Sequence, residues 1–285
     1  MPRVALVTWS GLPELPDDDQ LVLEALRARD AKCDAVVWDD ASVDFTSYDI
    51  VVLRSTWDYH KRFAEFAAWI DRCERDGVKL WNPPRVVREN IHKRYLVELA
   101  ERGARVVDTA LVQAGTPIAN VMRERGWDRA VIKPAVSATA FKTFVADATT
   151  GAIADDDTLV QPFVAEILTR GEWSLIFLGG AFSHSVLKRP RAGDFRVQND
   201  FGGTAQPIAP STQLVEDARE LLAMIDAPLL YARVDGVERD GRLVLMELEL
   251  TEPSLFLEAD SAARFAEAIL SVASASAIIS PVQSR

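Results

Sequence analysis

Glu247 and Glu249 stand two residues apart in the run Val244-Leu-Met-Glu-Leu-Glu249, and Asp235 precedes them across an Asp240-Gly241 turn. Residues two apart in a strand share a face. The strands expected at Leu230–Val237 and Leu243–Leu250 therefore point both glutamates one way, with Met246, Leu248 and Leu250 facing the core. The hairpin brings Asp235 towards them. Three converging carboxylates repel one another unless a cation sits among them. Mg²⁺ takes one or two carboxylates and completes its shell with phosphate oxygens and water. The same spacing also fits an acidic, solvent-facing strand.

Candidate partners for phosphate lie upstream. Lys93 follows Asn90-Ile-His, and Lys133 closes the apolar strand Ala130-Val-Ile-Lys. A lysine ending a buried strand suits a point-charge contact to phosphate, and it equally suits solvent exposure. Lys188, Arg189, Arg191 and Arg196 surround a polar loop, Lys188–Gln206, that includes Gly202-Gly203. Basic residues with glycines can wrap a polyphosphate. Arg233 shares a strand face with Asp235. In Gln161-Pro-Phe-Val164, Pro162 removes an amide donor, leaving an extended linker that offers backbone groups and Phe163 to a flat base. Ligands of open α/β sheets bind beyond the carboxyl ends of strands. The run Arg54, Ser55, Thr56, Trp57, Asp58, Tyr59 follows such a strand, so it is a candidate substrate site; it also fits a helix N-cap. Asp58 and His60 form no triad with a nucleophile.

The elements that must position these groups change along the chain. Strands at Arg3–Trp9, Ala35–Trp38, Ile50–Leu53 and Val78–Trp81 alternate with helices at Asp17–Arg29 and Phe63–Arg75, which predicts an open α/β sheet. Next come a helix at Ile91–Arg102, a strand at Val106–Ala110, a helix at Ile118–Arg125, and strands at Ala130–Lys133, Thr143–Ala146 and Thr158–Val160. Gly179-Gly180 marks a hairpin between Glu172–Leu178 and Ala181–Leu187. Helices at Gln213–Ile225 and Ser261–Ala273 flank the last two strands, and Ser274–Arg285 reads as a frayed tail.

A formal charge of -11 gives no support for a duplex nucleic-acid binder. No apolar run reaches the roughly 18 residues of a membrane span. The first residues read as a strand rather than a signal peptide. Cys33 and Cys73 are too isolated for a zinc site or disulfide framework. The expectation is a cytoplasmic protein with no nucleic-acid or membrane partner.

Taken in order, these segments resemble the ATP-grasp superfamily, in the branch of glutathione synthetase, D-alanine–D-alanine ligase and the ribosomal-protein glutamate ligases. The resemblance covers about residues 1–273. It implies an α/β pre-domain (1–88) that binds substrate, two α+β subdomains (89–163 and 164–275) that clasp ATP, and a tail (276–285). It implies that Lys93 and Lys133 contact phosphates, that Gln161, Phe163 and Val164 hold adenine, and that Glu172 holds the ribose. Asn199, Gly202 and Gly203 would belong to the phosphate loop. Lys188, Arg196 and Arg233 would be catalytic cations, and Asp235, Glu247 and Glu249 would bind one or two Mg²⁺ ions, with Mn²⁺ as a substitute. Where the family ends Glu-x-Asn, this chain has Glu247-Leu-Glu249, and the loop after Lys133 is poor in glycine. The Ser-Thr-Trp-Asp-Tyr run, Trp81-Asn-Pro-Pro and the Glu-Leu-Glu ending look similar to a bacterial subgroup that includes the cyclo-ligase closing O-ureido-D-serine to D-cycloserine. The implied activity is ATP-dependent joining of an amino-acid-like carboxylate to a nitrogen in the same molecule. The alternatives are an intermolecular carboxylate–amine ligase and a nucleotide-binding module without catalysis. A homodimer is the default assembly.

Overall fold

The computed structural model describes residues 1–147, 149–197 and 201–278. The chain opens with β1 (Arg3–Thr8), α1 (Asp17–Arg27), β2 (Lys32–Val37), β3 (Ile50–Ser55), α2 (Phe63–Arg75) and β4 (Leu80–Trp81). Their strands form a parallel sheet in the order β2-β1-β3-β4. Parallel strands need cover on both faces, and β1 shows how it is supplied. Val4 and Leu6 face one apolar cluster with Val22 and Leu26 of α1. Ala5 and Val7 face another with Phe66, Trp69 and Ile70 of α2.

A second, antiparallel sheet follows. After α3 (Pro84–Asn90) and α4 (Tyr95–Glu101) come β5 (Ala110–Val112), α5 (Ile118–Arg125), β6 (Arg129–Pro134), β7 (Phe144–Asp147) and β8 (Thr158–Pro162). The strand order is β5-β8-β6-β7. Ile118, Val121 and Met122 of α5 pack on Ala130, Ile132 and Val160 of this sheet.

The third unit contains α6 (Glu166–Thr169), β9 (Glu172–Leu178), β10 (Ala181–Arg189), β11 (Thr204–Pro207), α7 (Thr212–Ala223), β12 (Tyr231–Arg239), β13 (Arg242–Glu249) and α8 (Ala259–Ile278). The strands make an antiparallel sheet in the order β11-β10-β9-β12-β13. Gly179 (φ +58°) and Gly180 (φ +80°) make the tight β9–β10 turn, in the left-handed region that glycine enters without a Cβ clash. Leu96 and Leu99 of α4 join Leu214 and Leu221 of α7 against this sheet. Phe265 and Ile269 of α8 pack among α1, β1 and Ile176 of β9, tying the first sheet to the third.

Several expected boundaries are corrected. The helix expected over Ile91–Arg102 begins only at Tyr95, and Lys93 lies in the break between it and α3, a helix that ends at Asn90. There the Lys93 amide donates to the Ala135 carbonyl at 2.8 Å, a bond that takes it out of a continuous helical ladder. The strand expected over Val106–Ala110 starts only at Ala110, because residues 105–107 hydrogen-bond to Leu245 on the edge of β13 instead. Gln161 and Pro162 lie within β8 rather than in a linker, and β11 arises inside the expected polar loop. The last helix continues to Ile278, past the expected end at Ala273.

Candidate active site

A cavity of about 410 Å³ opens between the second and third sheets, with Trp57 and Tyr59 of the first unit at its wall. Its volume lies in the range of small-ligand sites. It gathers five cationic side chains (Lys93, Lys133, Lys188, Arg196, Arg233) and five carboxylates (Glu172, Asp235, Glu247, Glu249, Glu252). Lys133 comes from β6, Lys188 from β10, Arg233 from β12, and Lys93 from the α3–α4 break.

Most of these charges are paired. Arg233 grips both oxygens of Asp235, with Nε 3.0 Å from Oδ1 and NH2 2.8 Å from Oδ2, and also bonds Glu249. Ser174 Oγ donates to Asp235 at 2.5 Å. Lys188 Nζ lies 2.6 Å from Glu172 Oε1 and 3.2 Å from Asp235 Oδ2. Lys93 Nζ lies 3.1 Å from Glu247 Oε1 and donates to the Ser137 carbonyl at 2.6 Å. Arg196 is held by Asp194 at 2.8 Å and stacks over Phe201.

Burial and pairing compete at each group. Burial works against ionisation of Asp235, but Arg233 and Lys188 outweigh it and hold the carboxyl at about 2. Glu247 is likewise lowered, its burial overcome by Lys93 and Lys133. Glu249 goes the other way, to about 7, because burial and the charges of Glu247 and Asp235 exceed the help from Arg233. Burial lowers Lys133, with Glu247 opposing the shift.

Among the described residues, no three His, Cys, Asp or Glu side chains stand close enough to form a ready metal cage. Asp235 and Glu247 nevertheless face each other across the β12–β13 ladder. Two carboxylates suffice for Mg²⁺ when phosphate and water complete the shell, so the donors present fit that ion.

At the other end the wall is apolar. Phe163 and Val164 line it together with Met246 and Ile167, and the Arg129 guanidinium sits 4.2 Å from the Phe163 ring centroid. Met246 was expected in the core. A bulge between Asp235 and Gly236 shifts the register so that Gly236 opposes Leu245. A bulge sets two residues against one and re-aims side chains, and Met246 thereby joins the cavity wall. Gln161 lines the cavity and donates to Thr109 Oγ1 at 2.8 Å.

The substrate run divides. Trp57 and Tyr59 line the cavity; Arg54, Ser55, Thr56 and Asp58 do not and are buried. Arg54 Nε pairs with Asp19 at 2.7 Å, Ser55 Oγ donates to Thr8 at 2.8 Å, and Asp58 accepts from Trp38 Nε1 at 2.9 Å. These contacts serve the interior of the first unit, because β3 is buried along its whole length. Gly202 and Gly203 lie outside the cavity lining. A Cβ on Gly203 would meet the Val197 carbonyl at 2.1 Å, so that glycine permits close packing of the loop. Asn199 lies outside the described residues. The sequence reading missed Glu252, Ser254, Phe256 and Tyr95, all of which line the cavity. Glu252 does follow the carboxylate strand closely, but it stands beyond the strand end, where alternation no longer marks a face.

With two antiparallel sheets closing on this cavity beside a parallel one, the chain is an ATP-grasp protein, of the class of ATP-dependent carboxylate–nitrogen ligases. Residues 4–82 match the family model described as D-cycloserine synthetase DcsG, N-terminal domain. The chain is similar to the cycloserine biosynthesis protein DcsG of Streptomyces lavendulae, with 29% identity over 93% of this chain and 97% of that protein. The crystal structure of D-cycloserine synthetase DcsG superposes with a TM-score of 0.81 at 29% identity, covering 95% of this chain and 99% of the other. The D-alanine–D-alanine ligase of Bacillus anthracis superposes with a TM-score of 0.66 at 13% identity, over 96% of this chain and 98% of the other, and so shares the fold. No helix among the described residues is long and apolar enough to cross a membrane.

Proposed function

We propose that this cavity binds Mg·ATP and a small amino-acid-derived acid, phosphorylates the acid's carboxylate, and directs a nitrogen of the same molecule onto the acylphosphate. The observation that carries the reading is the convergence of Lys93, Lys133, Lys188 and Arg233 with Asp235 and Glu247 in one cavity. Such a mixture of fixed cations and carboxylates suits phosphoryl transfer, where positioning and charge neutralisation do most of the work.

Phe163, Val164, Met246 and the Gln161 segment would enclose adenine, and Glu172 the ribose. Lys133, which makes no ion pair within 4.0 Å among the described residues, is free to meet a phosphate; Lys93 joins it. Asp235 and Glu247, with Glu249 beside them, would hold one or two Mg²⁺ ions, or Mn²⁺ in their place. The ion supplies neutralisation of the β- and γ-phosphate oxygens when bound. Lys188, Arg196 and Arg233 would orient the acid and the transferring phosphoryl group. Gly203, with Gly202 beside it, would let the chain pack closely against Val197, which lines the site. In this reading residues 1–88 present the acid, and 89–163 and 164–275 clasp the nucleotide.

In the first step a carboxylate oxygen bonds the γ-phosphorus as the bond to the β-phosphate oxygen breaks, and ADP leaves. In the second, a nitrogen bonds the acyl carbon as the bond to the phosphate oxygen breaks, releasing phosphate and the nitrogen's proton; where that nitrogen carries a carbamoyl group, as in O-ureido-D-serine, water then cleaves the nitrogen–carbamoyl bond and the group leaves as carbon dioxide and ammonia. The cavity excludes the water that would hydrolyse the acylphosphate. Similarity to D-cycloserine synthetase along nearly the whole chain favours O-ureido-D-serine as the acid and D-cycloserine as the product. The two buried free thiols, Cys33 and Cys73, suit a reducing cytoplasm, and a homodimer is the default assembly.

The test is ADP release with Mg·ATP and O-ureido-D-serine, with mass spectrometry of the product. The expected product is D-cycloserine, lighter than O-ureido-D-serine by the elements of carbon dioxide and ammonia, because the carbamoyl group on the attacking nitrogen is lost to water as well as the ring being closed. ADP release that requires a separate amine would replace cyclisation by intermolecular ligation, and no ADP release with any acid or amine would leave a binding module.

A further inference from the structure

Pairing the charges of the cavity leaves one carboxylate over. Glu172 has Lys188, Asp235 has Lys188 and Arg233, Glu247 has Lys93, and Glu249 has Arg233. Arg196 is taken by Asp194. Among the described residues Glu252 alone of the five has no cation within 4.0 Å. Glu252 is half-buried; a carboxylate partly removed from water without a partner is still costly, and the segment that carries this one is held in place. Three donors pin the backbone on which it stands. Trp57 Nε1 donates to the Glu252 carbonyl at 3.2 Å, Arg54 NH2 to the Pro253 carbonyl at 3.0 Å, and Arg233 NH1 to the Ser254 carbonyl at 2.9 Å. Arg54 is itself fixed by Asp19.

We infer that the Glu252 carboxylate receives the α-ammonium group of an amino-acid substrate, and that Arg54 and Trp57 are positioning residues that hold the Glu252–Pro253 segment for it. The inference rests on the ligase reading above and names the substrate feature that the site selects. A cation arriving there completes the pairing that the protein leaves open. Burial and the neighbouring charge of Glu249, eased by Lys93, raise the Glu252 carboxyl to about 8 in the absence of such a cation. The same geometry explains the place of Arg54, which is buried near the end of β3 and outside the cavity lining. Its guanidinium acts on the site through a carbonyl.

The experiment pairs O-ureido-D-serine, D-alanine and D-serine with analogues carrying hydrogen in place of the α-amino group. ADP release is measured for the wild type, Glu252→Gln and Glu252→Asp, with thermal unfolding to confirm that each variant folds. The wild type is expected to prefer the amino acids. Glu252→Gln is expected to raise KM for the preferred amino acid about tenfold or more, as loss of a buried charge partner does. KM for ATP should stay within about twofold, and KM for the desamino acid should barely move. Glu252→Asp should recover part of the loss. Equal use of amino and desamino acids by the wild type overturns the Glu252 assignment and leaves the ligase reading standing. So does an equal rise in KM for both acids in Glu252→Gln. No ADP release by the wild type with any acid overturns both.

Discussion

Asp235 of β12 and Glu247 of β13 stand directly opposite each other, and the ladder slips by one residue immediately beyond them. That juxtaposition puts two carboxylates on one wall of the cavity and turns Met246 onto the same wall. A hairpin in perfect register would have kept Met246 in the core, because period-two alternation sends neighbours to opposite faces. The bulge therefore joins the proposed metal end and the proposed adenine end of the site through a single irregularity.

If Glu247 holds the metal, its removal should matter only when metal is present. Glu247→Gln is expected to lower kcat/KM for ADP release by about 100-fold, in line with the loss of one preorganised electrostatic contact. A fluorescent ATP analogue should bind the variant more weakly in Mg²⁺, and wild type and variant should converge in a chelator. A difference that persists in the chelator would place Glu247 in holding Lys93 rather than a metal.

Met246→Ala removes a side chain from the apolar end while leaving every charge in place. Loss of one such contact is of the order of 1 kcal/mol, about fivefold in affinity. KM for ATP should rise by about that factor while KM for the acid stays level. Steady-state kinetics with each substrate varied in turn separates the two.

Arg54 and Asp19 form an ion pair whose side chains are 1% and 2% exposed. Removing one partner strands the other charge in the interior, which costs about 3–5 kcal/mol. Asp19→Asn should lower denaturant stability by an amount of that order. It should also raise KM for the acid, because Arg54 would lose its anchor and with it the bond to Pro253. A stability loss with unchanged KM would leave Arg54 a purely structural residue.

The pH dependence of the ligand-free protein should carry the mark of Glu252. Its carboxyl is raised from 4.5 to about 8, so the folded protein holds a proton that the unfolded chain has already released in that window. Stability rises with pH only where the unfolded state binds more protons. Here the folded state does, so this contribution is present below about pH 4.5 and is lost as pH rises towards 8. Thermal unfolding across that range should show a steeper decline for wild type than for Glu252→Gln. Asp235, held at about 2, contributes in the opposite sense and only at more acid pH, so it does not mask the trend.

What the chain shows without its fold is local. Strand periodicity put Glu247 and Glu249 on one face, and Gly179-Gly180 and Asp240-Gly241 marked both hairpins, since turn chemistry and alternation are nearest-neighbour effects. The parallel first sheet was equally legible in its short apolar runs. Lys93 shows the limit. It was legible as a phosphate candidate, but its setting was read as a continuous helix, because the bond from its amide to Ala135 comes from another part of the chain.

Only the tertiary structure decided which charges meet. Arg54 was expected just beyond a strand, among substrate-contacting residues, yet it lies inside β3, where its partners Asp19 and Pro253 make it a support. Glu252 carried no local signal, and it becomes conspicuous only when every other cavity carboxylate has found a cation. Residue types and spacing determined what chemistry this protein carries. Register, the bulge at Asp235, and long-range pairing decided where that chemistry is aimed, because those depend on contacts between segments that are neighbours only once the chain is folded.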